Sequence, residues 1–287
     1  MMLNNNSSNV KYAAIFLSGS GTNAEALLRD IQNDPAAPWR ASVLITDKPE
    51  TSRAREIAAT FGIPLVEHDI AAFYKSEGLE TVTIRTGEGM RIREKWTDAL
   101  REKLRGYAID FGIHAGFVTL CNITNDYPCL NVHPGDLTVT ENGVRIFAGL
   151  HILPVENAIL RGDPAIRSSV IIAQRIETGG AGMDEGPVLG VSDYMPLDLQ
   201  GHTLDELKAV KAARAGKKPA EYKNDILRQI AQINVDRLKE CGDWKLFPRV
   251  TRDFANGLFS FGPLQYKGQE VVTVSYEDGK EPVPVLK

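Results

Sequence analysis

Cysteine is scarce in this sequence. Cys121, Cys129 and Cys241 are odd in number, and none stands at metal-ligand spacing from another. A disulfide framework and a Cys-based zinc site are therefore not expected, no metal is assigned, and the three read as reduced thiols. Long apolar runs are lacking too, since no stretch approaches the roughly 18–20 consecutive apolar residues of a membrane-spanning helix. The start Met1-Met2-Leu3-Asn4-Asn5-Asn6-Ser7-Ser8 has no hydrophobic centre of a signal peptide. A cytoplasmic protein without a membrane partner is the expectation. An excess of positive charge is also missing: 33 Lys and Arg face 37 Asp and Glu, a formal net charge of −4, which argues against a dedicated nucleic-acid partner. There is no internal repeat or low-complexity tract. What is there is ordinary for a globular protein, with 43% apolar and 24% charged residues over 287 positions. That length buries a sizeable core in one large domain or two small ones.

Alternation organises the first half. Tyr12 to Leu17 is an apolar run ending at Ser18-Gly19-Ser20-Gly21-Thr22-Asn23, and a helical segment, Ala24 to Ile31, follows. Ala41 to Ile45 is a second apolar run, followed by a helical pattern through Phe61 and a third run from Ile63 to Val66. Strand, helix, strand, helix, strand predicts a mostly parallel Rossmann-like α/β sheet with helices on both faces and right-handed crossovers. Arg91 to Tyr107 reads as one amphipathic helix, Phe111 to Phe117 and Leu130 to Pro134 as strands, Val155 to Leu160 as a helix and Ser168 to Arg175 as a strand. The pattern stops near Leu199. Thr203 to Lys239 reads as two helices broken at Gly216-Lys217-Lys218-Pro219, and Gly257 to Val285 as a small β appendage.

Three constellations carry chemistry. The glycine-rich turn at residues 18–23 joins a strand to a helix, where backbone N–H groups face an anion, although it is neither a P-loop nor a dinucleotide fingerprint. Its plainer reading is a turn capped by Thr22 or Asn23. In Asn131-Val132-His133-Pro134, alternation puts Asn131 and His133 on one face of a strand end, so an amide and an imidazole converge. They suit a developing oxyanion, and His133 suits proton transfer near neutral pH; a strand-end His satisfied by backbone is the alternative. Asp184, in Met183-Asp184-Glu185-Gly186-Pro187, is a loop carboxylate that could orient His133 or simply mark a surface turn. His114 reads as a core histidine satisfied by hydrogen bonds rather than as a ligand, and His68 and His202 as exposed loop residues.

The order of these pieces resembles the folate-dependent formyltransferase family, and within it the branch that formylates glycinamide ribonucleotide. The matching segments are Ile15 to Asn23, Ile92-Arg93-Glu94, Ala115-Gly116-Phe117, Leu130 to Pro134, Gly149-Leu150-His151, Gly162-Asp163 and Asp184 to Pro187, in family order over residues 11–199, with an echo of a C-terminal helix at Trp244 to Leu258. The resemblance implies a formyltransferase-type catalytic domain at 11–199; the sequence pattern adds a disordered N-terminus at 1–10 and, beyond the helix where family members often end, C-terminal helices and the β appendage within 200–287 packed on the same domain. The resemblance also implies Asn131, His133 and Asp184 as catalytic residues and 10-formyltetrahydrofolate as cosubstrate. Gly21, Thr22, Asn23 and Arg93 would bind the phosphate of a phosphorylated amine, first of all glycinamide ribonucleotide of purine biosynthesis. Val118, Thr119 and Leu120 would hold the folate ring, with Gly180, Ala181, Gly182 and Met183 closing over it.

Departures stand beside the matches. Where the family has Ser-Leu-Leu-Pro, this chain has Gly135-Asp136-Leu137-Thr138-Val139 and a longer path through Thr140-Glu141-Asn142-Gly143 to Gly149, and Ile166-Arg167 replaces His-Gly. Both changes bear on the amine acceptor. Hydrolysis of 10-formyltetrahydrofolate, formylation of another amine, and a non-catalytic folate-binding protein remain the rival readings. The stretch from Leu204 to Tyr222 and the tail read as a cover over the site or as a protomer contact, which leaves a homodimer open.

Overall fold

The computed structural model describes residues 10–150, 152–174, 182–266 and 269–276. The expected disordered start at 1–10 lies outside them apart from Val10. In chain order the elements are β1 (Lys11–Leu17), α1 (Thr22–Gln32), β2 (Trp39–Thr46), α2 (Ala54–Phe61), β3 (Leu65–Glu67), α3 (Ile70–Ser76), α4 (Gly87–Leu104), β4 (Phe111–His114) and β5 (Cys129–His133). Then come β6 (Thr140–Glu141), β7 (Val144–Arg145), α5 (Leu153–Arg161), β8 (Ala165–Ile166), β9 (Ser169–Ala173), β10 (Val188–Val191) and β11 (Met195–Pro196). The chain continues through α6 (Leu204–Ala212), α7 (Ile226–Leu238) and α8 (Trp244–Ala255) to β12 (Phe259–Tyr266) and β13 (Gln269–Tyr276), which pair with each other.

Seven strands form one sheet in the order β10-β9-β5-β4-β1-β2-β3. The pairs β1–β2, β1–β4, β2–β3 and β4–β5 are parallel and β9–β10 is antiparallel, so the mostly parallel α/β class expected from the alternation is the class found. The chain divides into two compact units: Met1–Asn131, Ala173–Met183 and Pro248–Phe259 form the first, and Val132–Ile172, Asp184–Phe247 and Ser260–Lys287 the second.

In the first unit the apolar run of β1 is a central strand covered on both faces, with Ala13 through Leu17 fully buried. α4 buries Ile92, Trp96, Leu100 and Leu104, one residue per turn, which is what a period of 3.6 does to that spacing. Its N-cap is Thr86, whose hydroxyl accepts from the Gly89 N–H at 3.1 Å. The strand expected to reach Phe117 stops at His114, because the chain turns at Gly116, φ +78°. Cys121 and Cys129 are sealed in this core, where burial pushes the Cys121 thiol up to about 11 and Cys129 well above its ordinary value.

In the second unit α5, α6 and α7 pack through Val155, Ile159, Leu207, Leu227, Ile230 and Leu238. α6 opens with a capping box between Thr203 and Glu206, and the expected break falls between α6 and α7. Within that break Arg214 is 8% exposed and its guanidinium donates to both oxygens of Glu156, at 2.8 and 3.2 Å, and to both of Asp225, at 2.7 and 2.8 Å. Cys241 is exposed.

Candidate functional site

The glycine-rich turn of the first unit is held from several sides. Arg53 donates its backbone N–H to the Gly19 carbonyl at 3.0 Å and its guanidinium to the Ser20 carbonyl at 3.1 Å. The Ser18 hydroxyl accepts from the Val118 N–H at 3.0 Å. Gly21 sits at the N-cap of α1 with φ +66°, a conformation side chains disfavour, and a Cβ there would also push aside the tip of Ile57 at 2.3 Å. Neither Thr22 nor Asn23 caps the helix; both lie in its first turn, where N–H groups lack intrahelical acceptors.

Arg93 projects from α4 and is 5% exposed. It donates to the Leu120 carbonyl and lies 5.5 Å over the Tyr74 ring. With Val118, Thr119, Asp47 and Lys48 it lines a cavity of about 450 Å³. None of Gly21, Thr22 and Asn23 lines that cavity, so the structure brings Arg93 to the Val118–Leu120 segment instead. Thr119 donates to one oxygen of the fully buried Asp47. The other Asp47 oxygen, Oδ1, and Arg93 Nε have no hydrogen-bond partner among the described residues. A buried acceptor and a buried donor left unpartnered on residues that line one cavity fit a ligand with polar edges.

The second unit holds the imidazole. His133 ends β5 and is 3% exposed. Its Nε2 lies 2.6 Å from the Phe147 carbonyl oxygen, so that nitrogen carries a proton and donates. Nδ1 faces Asp184 Oδ1 at 3.7 Å, beyond hydrogen-bond length and within ion-pair range. Asp184 stands in a short 3₁₀ turn, Met183–Glu185. Its Oδ2 accepts from the Gly149 N–H at 3.1 Å, and its main-chain carbonyl accepts from the Arg145 guanidinium. Asn131 lies two residues before His133 on the same strand, paired in register with His114.

Beside His133, the carboxylate of Asp136 takes hydrogen bonds from Arg167 at 2.7 Å, Thr138 at 2.5 Å and Tyr194 at 3.1 Å. Burial alone would raise the Asp136 carboxyl, but hydrogen bonds from Thr138 and Arg167 outweigh it and hold the group below the usual carboxylate range. Arg167 also stacks over the Tyr194 ring at 4.5 Å. Asp136, Phe147, Arg161, Asp163, Ile166 and Tyr194 line a cavity of about 370 Å³.

Sequence reasoning missed Arg145 and Phe147. The signal was present in Asn142-Gly143, a hairpin dipeptide whose φ values of +51° and +74° make the turn between β6 and β7. His68, expected as an exposed loop residue, is buried instead: its Nε2 lies 3.0 Å from the Trp96 carbonyl oxygen and its ring stacks on Trp96 at 4.7 Å, because α4 packs its aromatic face there. Gly180 and Ala181, expected to close over the folate, lie outside the described residues, as does His151. Gly182 has φ +109°, and Met183 opens the turn that carries Asp184. Among the described residues no three His, Cys, Asp or Glu side chains gather as metal ligands, and no helix is long and apolar enough to cross a membrane.

No protein-family profile and no curated protein matches the chain. Solved structures do. Glycinamide ribonucleotide transformylase 1 from Symbiobacterium toebii is 22% identical with a TM-score of 0.56, over 92% of this chain and 94% of that one. Phosphoribosylglycinamide formyltransferase from Anaplasma phagocytophilum is 17% identical with a TM-score of 0.58, over 93% and 94%. The transformylase from Geobacillus kaustophilus is 22% identical with a TM-score of 0.54, over 86% and 100%. At these identities the shared property is the fold.

Proposed function

We propose that this protein is an enzyme transferring a formyl group from 10-formyltetrahydrofolate to the primary amine of a phosphorylated acceptor, with glycinamide ribonucleotide first among candidates. The observation that carries the reading is the pair formed by His133 and Asp184 in a fold shared with enzymes of that name. With Nε2–H committed to the Phe147 carbonyl, Nδ1 is the ring atom at which a proton is held or moved, and the Asp184 carboxylate faces that atom. When the amine attacks the formyl carbon, His133 through Nδ1 and the Asn131 amide stabilise the oxyanion, and Asp184 takes part in moving the amine proton to the leaving nitrogen. Gly21, Thr22 and Asn23 cradle the acceptor phosphate at the start of α1. Val118, Thr119 and Leu120, with Gly180 to Met183, hold the folate, and Arg93 serves an anionic group of the ligand that lies against them.

The test is incubation with 10-formyltetrahydrofolate, with and without glycinamide ribonucleotide, following the absorbance of deformylated folate. A signal that requires the amine is expected, and His133→Ala should lower kcat by about 10²–10³ while leaving folate binding in place. Equal turnover without amine would show a hydrolase. Folate binding with no turnover would show a binding protein.

A further inference from the structure

The departure at residues 135–149 is not explained by formyl transfer as such, and its geometry gives it a task. Three alternate residues of one segment meet the His133–Asp184 pair: the Arg145 guanidinium donates to the Asp184 carbonyl, the Phe147 carbonyl accepts from His133 Nε2, and the Gly149 N–H donates to Asp184 Oδ2. The strand ends at Arg145 and the chain turns through residues 146–150, and that turn brings one side chain and two main-chain groups to the pair. Arg145 closes the β6–β7 hairpin opposite Thr140. Its neighbour Val144 is 50% exposed, whereas Arg145 itself is 4% exposed. Burying a guanidinium is costly unless its donors are used, and one of those donors is spent on the main chain of Asp184.

We propose that Arg145 is a positioning residue: carried in by the hairpin, it fixes the main chain of Asp184 while the segment it begins fixes the His133 ring and the Asp184 carboxylate, so that residues 145–149 set the spacing of the pair. The inference rests on the formyl-transfer reading for its kinetic consequence and on geometry alone for its structural one. Two supports are local. Gly149 has φ +126°, a conformation that keeps its N–H on Asp184 and that side chains disfavour. A Cβ on Gly135 would meet the Phe147 carbonyl oxygen at 2.8 Å, so the close approach of this segment to the end of β5 requires glycine there.

The experiment compares the wild-type protein with Arg145→Ala, Arg145→Lys and the surface control Val144→Ala, scoring kcat and both KM values, and reads the His133 ring nitrogens by ¹⁵N NMR. Arg145→Ala should lower kcat by up to about a hundredfold with both KM values within about threefold, the signature of lost alignment with binding intact. Arg145→Lys, which keeps a cationic donor group, should recover part of the loss, and Val144→Ala should match wild type. The His133 signals should shift in Arg145→Ala. Should Arg145→Ala not fold, Gly143→Val carries the same test from the exposed turn, where φ +74° excludes a β-branched residue and a Cβ meets nothing, and it should lower kcat in the same direction. Unchanged kcat and unchanged His133 signals in a folded variant would overturn the proposal. A wild-type protein that neither transfers nor releases formyl would instead refute the functional reading, and the His133 signals would then decide the positioning claim by themselves.

Discussion

His114 closes β4 with its ring against Phe16 and Phe117, at centroid distances of 5.3 and 5.5 Å, and, contrary to the hydrogen-bonded histidine expected from the sequence, neither ring nitrogen has a hydrogen-bond partner among the described residues, because aromatic rings surround it. Burial pulls its pKa down to about 4. Between that value and the ordinary one near 6.5, the unfolded chain binds a proton that the folded chain refuses. Stability from the neutral ring is therefore complete above about pH 6.5 and is lost as the pH falls toward 4, by about 3 kcal/mol in all. His68, lowered by burial against a raising bond to the Trp96 carbonyl, acts in the same direction. Urea unfolding at pH 7, 5.5 and 4.5 should show His114→Leu losing less stability on acidification than wild type. Equal slopes would mean that the ring is not sealed. At this scale the sequence was partly legible. The imidazole and its carboxylate could be named because their motifs stand in a recognisable order, whereas for Arg145 the Asn142-Gly143 dipeptide marks the hairpin that carries it and not which neighbour a buried guanidinium will meet.

Helices and strands were legible wherever a period ran long enough. α4 was expected at Arg91 to Tyr107 and found at Gly87–Leu104, and the two helices either side of Gly216-Lys217-Lys218-Pro219 are α6 and α7. Short pieces were not legible. β6, β7, β8 and β11 have two residues each, too few to show alternation, and depend on the partner they pair with. α3 is seven residues long and is defined by its cap, the Asp69 carboxylate accepting from the Ala72 N–H at 2.9 Å, as much as by its buried Ile70 and Tyr74. Between α5 and α7 the decisive element is an ion cluster. Glu156 is 1% exposed beneath Arg214, with Arg228 at 3.2 Å as a second cation. Glu156→Ala removes the buried partner of both guanidinium groups, leaving Arg214 with Asp225 alone, and should cost about 3 kcal/mol in chemical denaturation. Arg161→Ala, on the half-exposed end of α5, should cost less than about 1 kcal/mol and serves as the comparison. Similar losses in the two variants would show that the cluster is solvated.

Over the whole molecule the class of fold followed from one regularity, an apolar run and a helical run repeated through residue 66, because parallel strands buried on both faces leave no other pattern. The far side of the sheet was less open to reading. Between β5 and β9 the chain passes the β6–β7 hairpin, α5 and β8, and within the seven-stranded sheet the β9–β10 pair is antiparallel. The thiols follow the division into two units. Cys121 and Cys129 belong to the first and Cys241 to the second. A disulfide reagent such as Ellman's should react promptly with one equivalent in the native state and with three in denaturant; a second prompt equivalent would contradict the burial of Cys121 and Cys129. The first unit thus carries an intrinsic clock: after the open thiol is blocked, the rate at which the remaining two are modified counts how often that unit opens to solvent, with no substitution in the sequence and no introduced dye.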